Sequence, residues 1–341
     1  MHFVKLALVS LASLASAQGT MQAMGAAKPA PPAPPAPPAP PAPPAPPAKP
    51  TPPTPPPHPA PGEPISPQER ANYALVQKFW DNFMYPKNLN VVTTKDAGGI
   101  LSDDIKGRVD ITRTFEGKEL NTEYLFGTFS GLVPANQFQF VSRPVNYTIV
   151  QFASTGNVAS TSVIVNFQDL MTGSIEPLQI DAYTSYNSQG QIQQYDAIFR
   201  RYPWFLQTAV QAKAGGLLTL YGQLTGTALA PTAANVNIAM QGLLANSICQ
   251  THTISCTGSL AQYSSQQECY NFLTQSVPLG EGWQAGQDNV LCRAIHQNMI
   301  PLRPEVHCPH IGKDGGGMCV DVPYSSVFAP FYLYSWNAFQ K

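Results

Sequence analysis

The sequence predicts an α+β fold followed by a small, disulfide-rich and mainly helical module, and three observations lead there. One amphipathic helix precedes a run of alternating strands between residues 66 and 212. All six cysteines lie between Cys249 and Cys319. A proline-dominated stretch separates both parts from the N-terminus.

Residues 1–17 read as a secretory signal: a weakly basic start (His2, Lys5), an apolar run from Leu6 to Leu14, and the small-x-small sequence Ala15-Ser16-Ala17. The apolar run is shorter than the roughly 20 residues a bilayer-spanning helix needs, and no later segment reaches that length, so no membrane span is expected. The predicted destination is extracellular, where paired cysteines persist as disulfides. Charged residues make up 11% of the chain and the net charge is −1. That leaves no basic stripe for a nucleic-acid partner. Asn146-Tyr147-Thr148 is an acceptor sequon, which secretion would open to glycosylation at Asn146.

Residues 18–65 form a spacer. From Ala30 to Ala48 it repeats Pro-Pro-Ala without interruption. Proline fixes φ and lacks an N–H, so this stretch is expected to be an extended polyproline II rod. It would hold the folded part away from a cell wall or matrix, or bind a proline-recognising domain.

The first folded domain, residues 66–212, opens on Ser66-Pro67-Gln68-Glu69: a capping serine, a proline at the first helical position and a glutamate that closes a capping box. Tyr73, Val76, Phe79, Trp80 and Phe83 then recur at helical spacing up to Met84. Strands are expected at 107–115, 138–141, 147–154, 161–169, 176–187 and 191–202, with Asn187-Ser188-Gln189-Gly190 as a hairpin turn. The closing segment Gly190-Gln191-Ile192-Gln193-Gln194-Tyr195-Asp196-Ala197-Ile198-Phe199, with its aromatic-Asp pair, resembles the last strand of SnoaL-like proteins, a branch of the nuclear-transport-factor-2-like fold. That resemblance implies a cone-shaped sheet around a pocket, used by some members for isomerase, cyclase or hydrolase chemistry with an aspartate base. Such a base needs a carboxylate in an apolar cavity beside a donor for the developing oxyanion. Asp196 and Asp181 are the candidate bases and Tyr183 the candidate donor. Strict alternation would place Ile192, Gln194, Asp196 and Ile198 on one face. The competing reading pairs Asp196 with Arg200 or Arg201 at a strand end. The domain lacks histidine, which weighs against acid–base catalysis there.

Residues 213–248 read as a small, apolar, packed connector leading into a helix from Ala233. Residues 249–341 hold the cysteines and four of the six histidines. Ser265-x-x-Glu268 marks a capping box before Cys269, and Asp288 is expected to cap a helix carrying Cys292, Ile295, His296 and Met299 on one face. In a secreted chain Cys249, Cys256, Cys269, Cys292, Cys308 and Cys319 read as three disulfides, with fifteen pairings open. The metal-ligating candidates are then His252, His296, His307 and His310. Four imidazoles suit copper or zinc, and two can ligate a b-type haem axially. The run from Cys292 through His296, His307-Cys308-Pro309-His310 and Cys319 also resembles a cysteine/histidine module of secreted fungal-type proteins. Six aromatic residues from Phe328 to Phe339 close the chain as a core-covering tail or an interface.

The leading functional expectation is a secreted or wall-associated, non-catalytic protein that binds a small apolar ligand in the cone, or uses that surface for a homodimer. The alternatives are a metal or haem protein built on the C-terminal histidines, and an isomerase- or cyclase-type enzyme built on Asp196.

Overall fold

A computed structural model of the chain describes residues 66–134 and 137–326. The signal sequence, the spacer to residue 65 and the aromatic cluster from Phe328 lie outside the described residues. The first helix, α1 (Pro67–Phe83), starts at its predicted cap. The Glu69 N–H donates to the Ser66 hydroxyl at 3.1 Å, and the Ser66 N–H donates to the Glu69 carboxylate at 2.7 Å. Two donors orphaned at the helix start are thereby satisfied. Val76, Trp80 and Phe83 form its buried stripe.

Next come α2 (Lys87–Thr93), β1 (Leu101–Val109), β2 (Thr114–Glu116) and α3 (Lys118–Thr122), which runs on into one π turn (Glu123–Gly127). Strands β3 (Arg143–Thr155), β4 (Val158–Gln168), β5 (Ile175–Tyr186) and β6 (Ile192–Phe199) complete a six-stranded sheet in the order β2-β1-β6-β5-β4-β3. The β1/β6 pair is parallel and the other neighbours are antiparallel. The stretch expected as one strand at 107–115 is instead a hairpin, because the chain reverses where the Thr112 N–H donates to the Val109 carbonyl at 3.0 Å. Residues 138–141 are not a strand. The Phe138 carbonyl accepts the Ser247 hydroxyl at 2.7 Å, and Phe138 and Phe140 pack against the helical core.

One irregularity decides which side chains face inward. Tyr186 pairs with Ile192, but its neighbour Ser185 pairs with Gln194. The one-residue surplus at Gln193 is a β-bulge, and it shifts the alternation of β6 by one position. Two further shifts interrupt β3 against β4, and such bulges bend the sheet. Gly107 on β1 makes room for the Tyr195 ring: a Cβ there would sit 2.1 Å from ring carbons. The Tyr195 hydroxyl then reaches Asn121 Oδ1 at 2.9 Å.

After the sheet comes α4 (Tyr202–Ala212); the segment expected as a connector forms α5 (Ala214–Thr225) and the first part of α6 (Ala233–Ser255), followed by α7 (Gln266–Gln275), α8 (Val290–Gln297) and α9 (Pro304–His310). All six cysteines are paired. Cys249–Cys269 joins α6 to α7, Cys256–Cys308 joins the end of α6 to α9, and Cys292–Cys319 joins α8 to the chain beyond Gly317. Two cap assignments shift by a residue. Asn289, not Asp288, caps α8, its side chain accepting the Cys292 N–H at 2.8 Å. Ser265 caps α7 as expected, but the Glu268 carboxylate accepts from Ser264, one residue before the cap. Leu101, Ile105, Phe115 and Phe126 centre one apolar core, and Leu244, Ile248, Leu273 and Ile311 a second. No helix among the described residues is long and apolar enough to cross a membrane.

Candidate functional site

Two helices bring three of the four candidate histidines together. His296 follows Cys292 by one helical turn on α8, and His307 and His310 are three residues apart on α9, so each pair shares a face. The Cys292–Cys319 and Cys256–Cys308 bridges fix both helices. One ligand nitrogen from each of His296, His307 and His310 lies within 4.8 Å of the other two, and all three residues are buried. The His296 and His310 Nδ1 atoms are 3.2 Å apart. Gly316, at φ +55°, packs on this group: a Cβ there would sit 2.8 Å from His310 Cδ2.

The third ring is oriented from the other half of the chain. The Glu123 carboxylate, on the π turn, lies 3.1 Å from His307 Nε2 and is gripped on both oxygens by the Arg303 guanidinium. Burial pushes the Glu123 carboxyl up, but His307 and Arg303 outweigh it and hold it below its ordinary range. An ionised Glu123 calls for an N–H on His307 Nε2, and in the neutral ring the lone pair then lies on Nδ1. That Nδ1 is buried and has no hydrogen-bond partner. Burial, the neighbouring His310 and His307 rings and the Arg113 guanidinium hold His296 well below the usual histidine range. Burial, then His307 and Arg113, push His310 down to about 4. Both are neutral imidazoles at ordinary pH, the form that can ligate a metal.

His252 stands apart. Its Nε2 accepts the Gln262 N–H at 2.9 Å and its ring packs edge-on against Tyr263, as a structural histidine does. It belongs to no metal-sized group among the described residues.

A second feature is a cavity of about 160 Å³ between the inner face of the sheet, α1, α4 and the segment 138–142. Its wall is apolar, built of aliphatic side chains and of aromatic rings that include Phe79, Trp80, Tyr124, Phe129, Tyr195 and Phe199. Its charged groups are gathered in one place, where Lys213 Nζ lies 2.6 Å from Asp169 and 2.7 Å from Glu176. Burial pushes the Asp169 carboxyl up, but Lys213 and Thr172 outweigh it and hold it below its ordinary value. Gln139 also lines the wall: its Nε2 donates to the Val133 carbonyl, while its buried Oε1 has no partner.

The carboxylates and tyrosine read from the sequence lie elsewhere. Ile180, Ala182 and Thr184 of β5 and Tyr195, Ala197 and Phe199 of β6 line the cavity, so Asp181, Tyr183 and Asp196 alternate onto the opposite face. Asp196 is held by both arms of Arg108, not by Arg200 or Arg201. Asp181 accepts from Ser162 at 2.7 Å and from Arg200. Tyr183 is 42% exposed. The Gln193 bulge is the physical reason: it puts Ile192 inward and leaves Asp196 outward, breaking the shared face that strict alternation predicts. Asn146 is exposed on β3.

Comparison with known proteins divides the chain near the same place as its architecture. Residues 77–197 match the BfoA N-terminal domain and residues 201–322 match the BfoA family C-terminal domain. The chain belongs to the BfoA family. Within it, the chain is 40% identical over 267 residues to bifonsecin B biosynthesis cluster protein A of Aspergillus brasiliensis, covering 77% of this chain and 84% of that protein. It is 39% identical over 267 residues to aurasperone B biosynthesis cluster protein A of Aspergillus niger strain CBS 513.88, covering 77% and 82%. Solved structures similar to the BfoA-family chain include a de novo designed protein with a curved β-sheet (14% identity, TM-score 0.29, 41% of this chain and 93% of that one). Another is a candidate SnoaL-like polyketide cyclase from Jannaschia sp. CCS1 (13%, 0.30, 40% and 90%). The histidines thus fall in the C-terminal family domain, while Glu123, which orients one of them, falls in the N-terminal one.

Sequence reasoning missed Glu123, Arg303 and the Lys213 station. Glu123 is 184 residues from His307, and no local pattern reports that pairing. Asp169, Glu176 and Lys213 come from the turn after β4, from β5 and from the α4–α5 junction, and only the fold assembles them.

Proposed function

We propose that this chain is an extracellular small-molecule-binding protein that holds a compact hydroxylated aromatic compound in the cavity on the concave side of its sheet. The cavity's apolar, ring-bearing wall, with one ionic station at Lys213, carries this reading. Aromatic rings favour offset-stacked or edge-on contact with another ring. An apolar cavity on the order of 150 Å³ admits a benzene-sized ring, so the space suits a mono- or bicyclic ligand. A phenolic or carbonyl oxygen of the ligand would accept from Lys213. The relatives' names place those proteins in biosynthesis clusters, which fits a partner that is a small product or intermediate. The helix-then-curved-sheet order fits the cone that the SnoaL-like resemblance implies. Three closed disulfides fit an oxidising compartment.

Titrating purified full-length protein with 2-naphthol while following intrinsic tryptophan fluorescence, to which Trp80 in the cavity wall contributes, tests this. Saturable quenching is expected, and it should vanish in Ala182→Phe, which fills the cavity from β5. Absence of saturation, or equal binding by a folded Ala182→Phe variant, would contradict the proposal.

A further inference from the structure

We infer that His296, His307 and His310 form a three-imidazole site for one divalent copper or zinc ion, buried where α8 and α9 meet the π turn of the sheet-bearing half. Three observations carry it. First, the ligand nitrogens of these three residues cluster within 4.8 Å, among residues of 3%, 0% and 7% exposure. Second, the His296 and His310 Nδ1 atoms lie 3.2 Å apart. Two nitrogens bonded to one zinc at about 2.0–2.1 Å and near-tetrahedral angles are separated by about 3.3 Å. Third, His307 Nδ1 is a buried ring nitrogen with no hydrogen-bond partner, while its Nε2 is held by Glu123.

The third observation separates a metal site from a satisfied histidine cluster. A carboxylate on the remote ring nitrogen fixes tautomer and ring orientation in metal-binding histidines and raises ligand basicity. Arg303 in turn fixes the carboxylate, so the arrangement extends two shells outward. Buried polar atoms nearly always find partners, and an ion at this point would supply one to His307 Nδ1. The cysteines cannot contribute thiolates, since the nearby Cys292 and Cys319 form a disulfide. The donor set is therefore three imidazole nitrogens, which suits copper(II) or zinc rather than a hard cation such as magnesium or calcium. The site is separate from the cavity proposal and stands without it.

The test is metal uptake by the purified full chain, stripped with a chelator and titrated separately with zinc and copper(II). About one ion per chain is expected, and removal of the ion should be reversible. Copper-loaded protein should show nitrogen hyperfine structure from imidazole in its electron paramagnetic resonance spectrum. A zinc-only protein would bind with the same stoichiometry and stay silent. His310→Gln and His296→Gln should abolish stoichiometric uptake, while His252→Gln should retain it. Glu123→Gln should retain the site with an affinity lower by about 10- to 100-fold. Variants are compared only if circular dichroism and a zero free-thiol count match wild type; if the histidine variants do not fold, the wild-type copper spectrum decides. No uptake of either ion, equal uptake by folded His310→Gln, or a copper spectrum without nitrogen coupling would overturn the inference.

Discussion

The two halves of this molecule bury polar groups by opposite rules. The sheet-bearing half keeps most of its ionic groups out of its apolar core: Asp196 with Arg108 and Asp181 with Arg200 sit on the face away from the cavity. The station that lines the cavity, Lys213 between Asp169 and Glu176, is paired within itself. The helical half places four histidines and Arg293 among its fully or nearly buried residues, and leaves His307 Nδ1 without a partner. The stabilising devices differ likewise. All three disulfides lie in the helical half, whereas the sheet half relies on continuous packing. A buried donor cluster needs rigid helices around it, and cross-links between those helices supply rigidity that a smooth core provides elsewhere.

The largest effect is expected from removing a cross-link. Replacing Cys256 and Cys308 together by serine opens a 52-residue closure and should cost about 4 kcal/mol in urea unfolding. A loss below about 1 kcal/mol would mean that the helical half packs well without its staples. In the sheet half, Leu101 is fully buried and no bridge lies near it in sequence. Leu101→Ala should cost about 3 kcal/mol and leave the free-thiol count at zero.

These comparisons also show what the sequence could and could not reveal. The Ser66–Glu69 cap was legible because it is local, and so was the shared face of Cys292 and His296, one helical turn apart. Pairing of all six cysteines was legible from their even number and the expected oxidising destination, but the partners were not, since closures of 20, 52 and 27 residues depend on how α6 to α9 pack. Asp196 was misread because one bulged residue, Gln193, reverses the face of everything after it. His252 looked equivalent to the other histidines, because only the backbone N–H of Gln262 on its Nε2 distinguishes it.

Two smaller effects sharpen the contrast. The Asp169 carboxyl titrates below the ordinary aspartate value, near 3.9 in an unfolded chain. Its stabilising contribution is therefore fully present above about pH 4 and is lost as pH falls through the lower folded value. The stability difference between wild type and Asp169→Asn should be constant near neutrality and should close as pH falls below about 4 in an acid titration of unfolding. A difference that widens with acid would contradict the Lys213 pairing. The smallest change is expected at the helix start, where Ser66→Ala should cost about 1 kcal/mol by thermal unfolding without altering probe binding.

The most direct test of the cavity's role is crystallographic. Crystals of the full chain grown with 6-bromo-2-naphthol should give an anomalous bromine peak enclosed by Trp80, Phe129, Tyr195 and Phe199, with the ligand oxygen near Lys213. A bromine peak confined to the outer face of the sheet, with the cavity filled by its own side chains, would contradict the account.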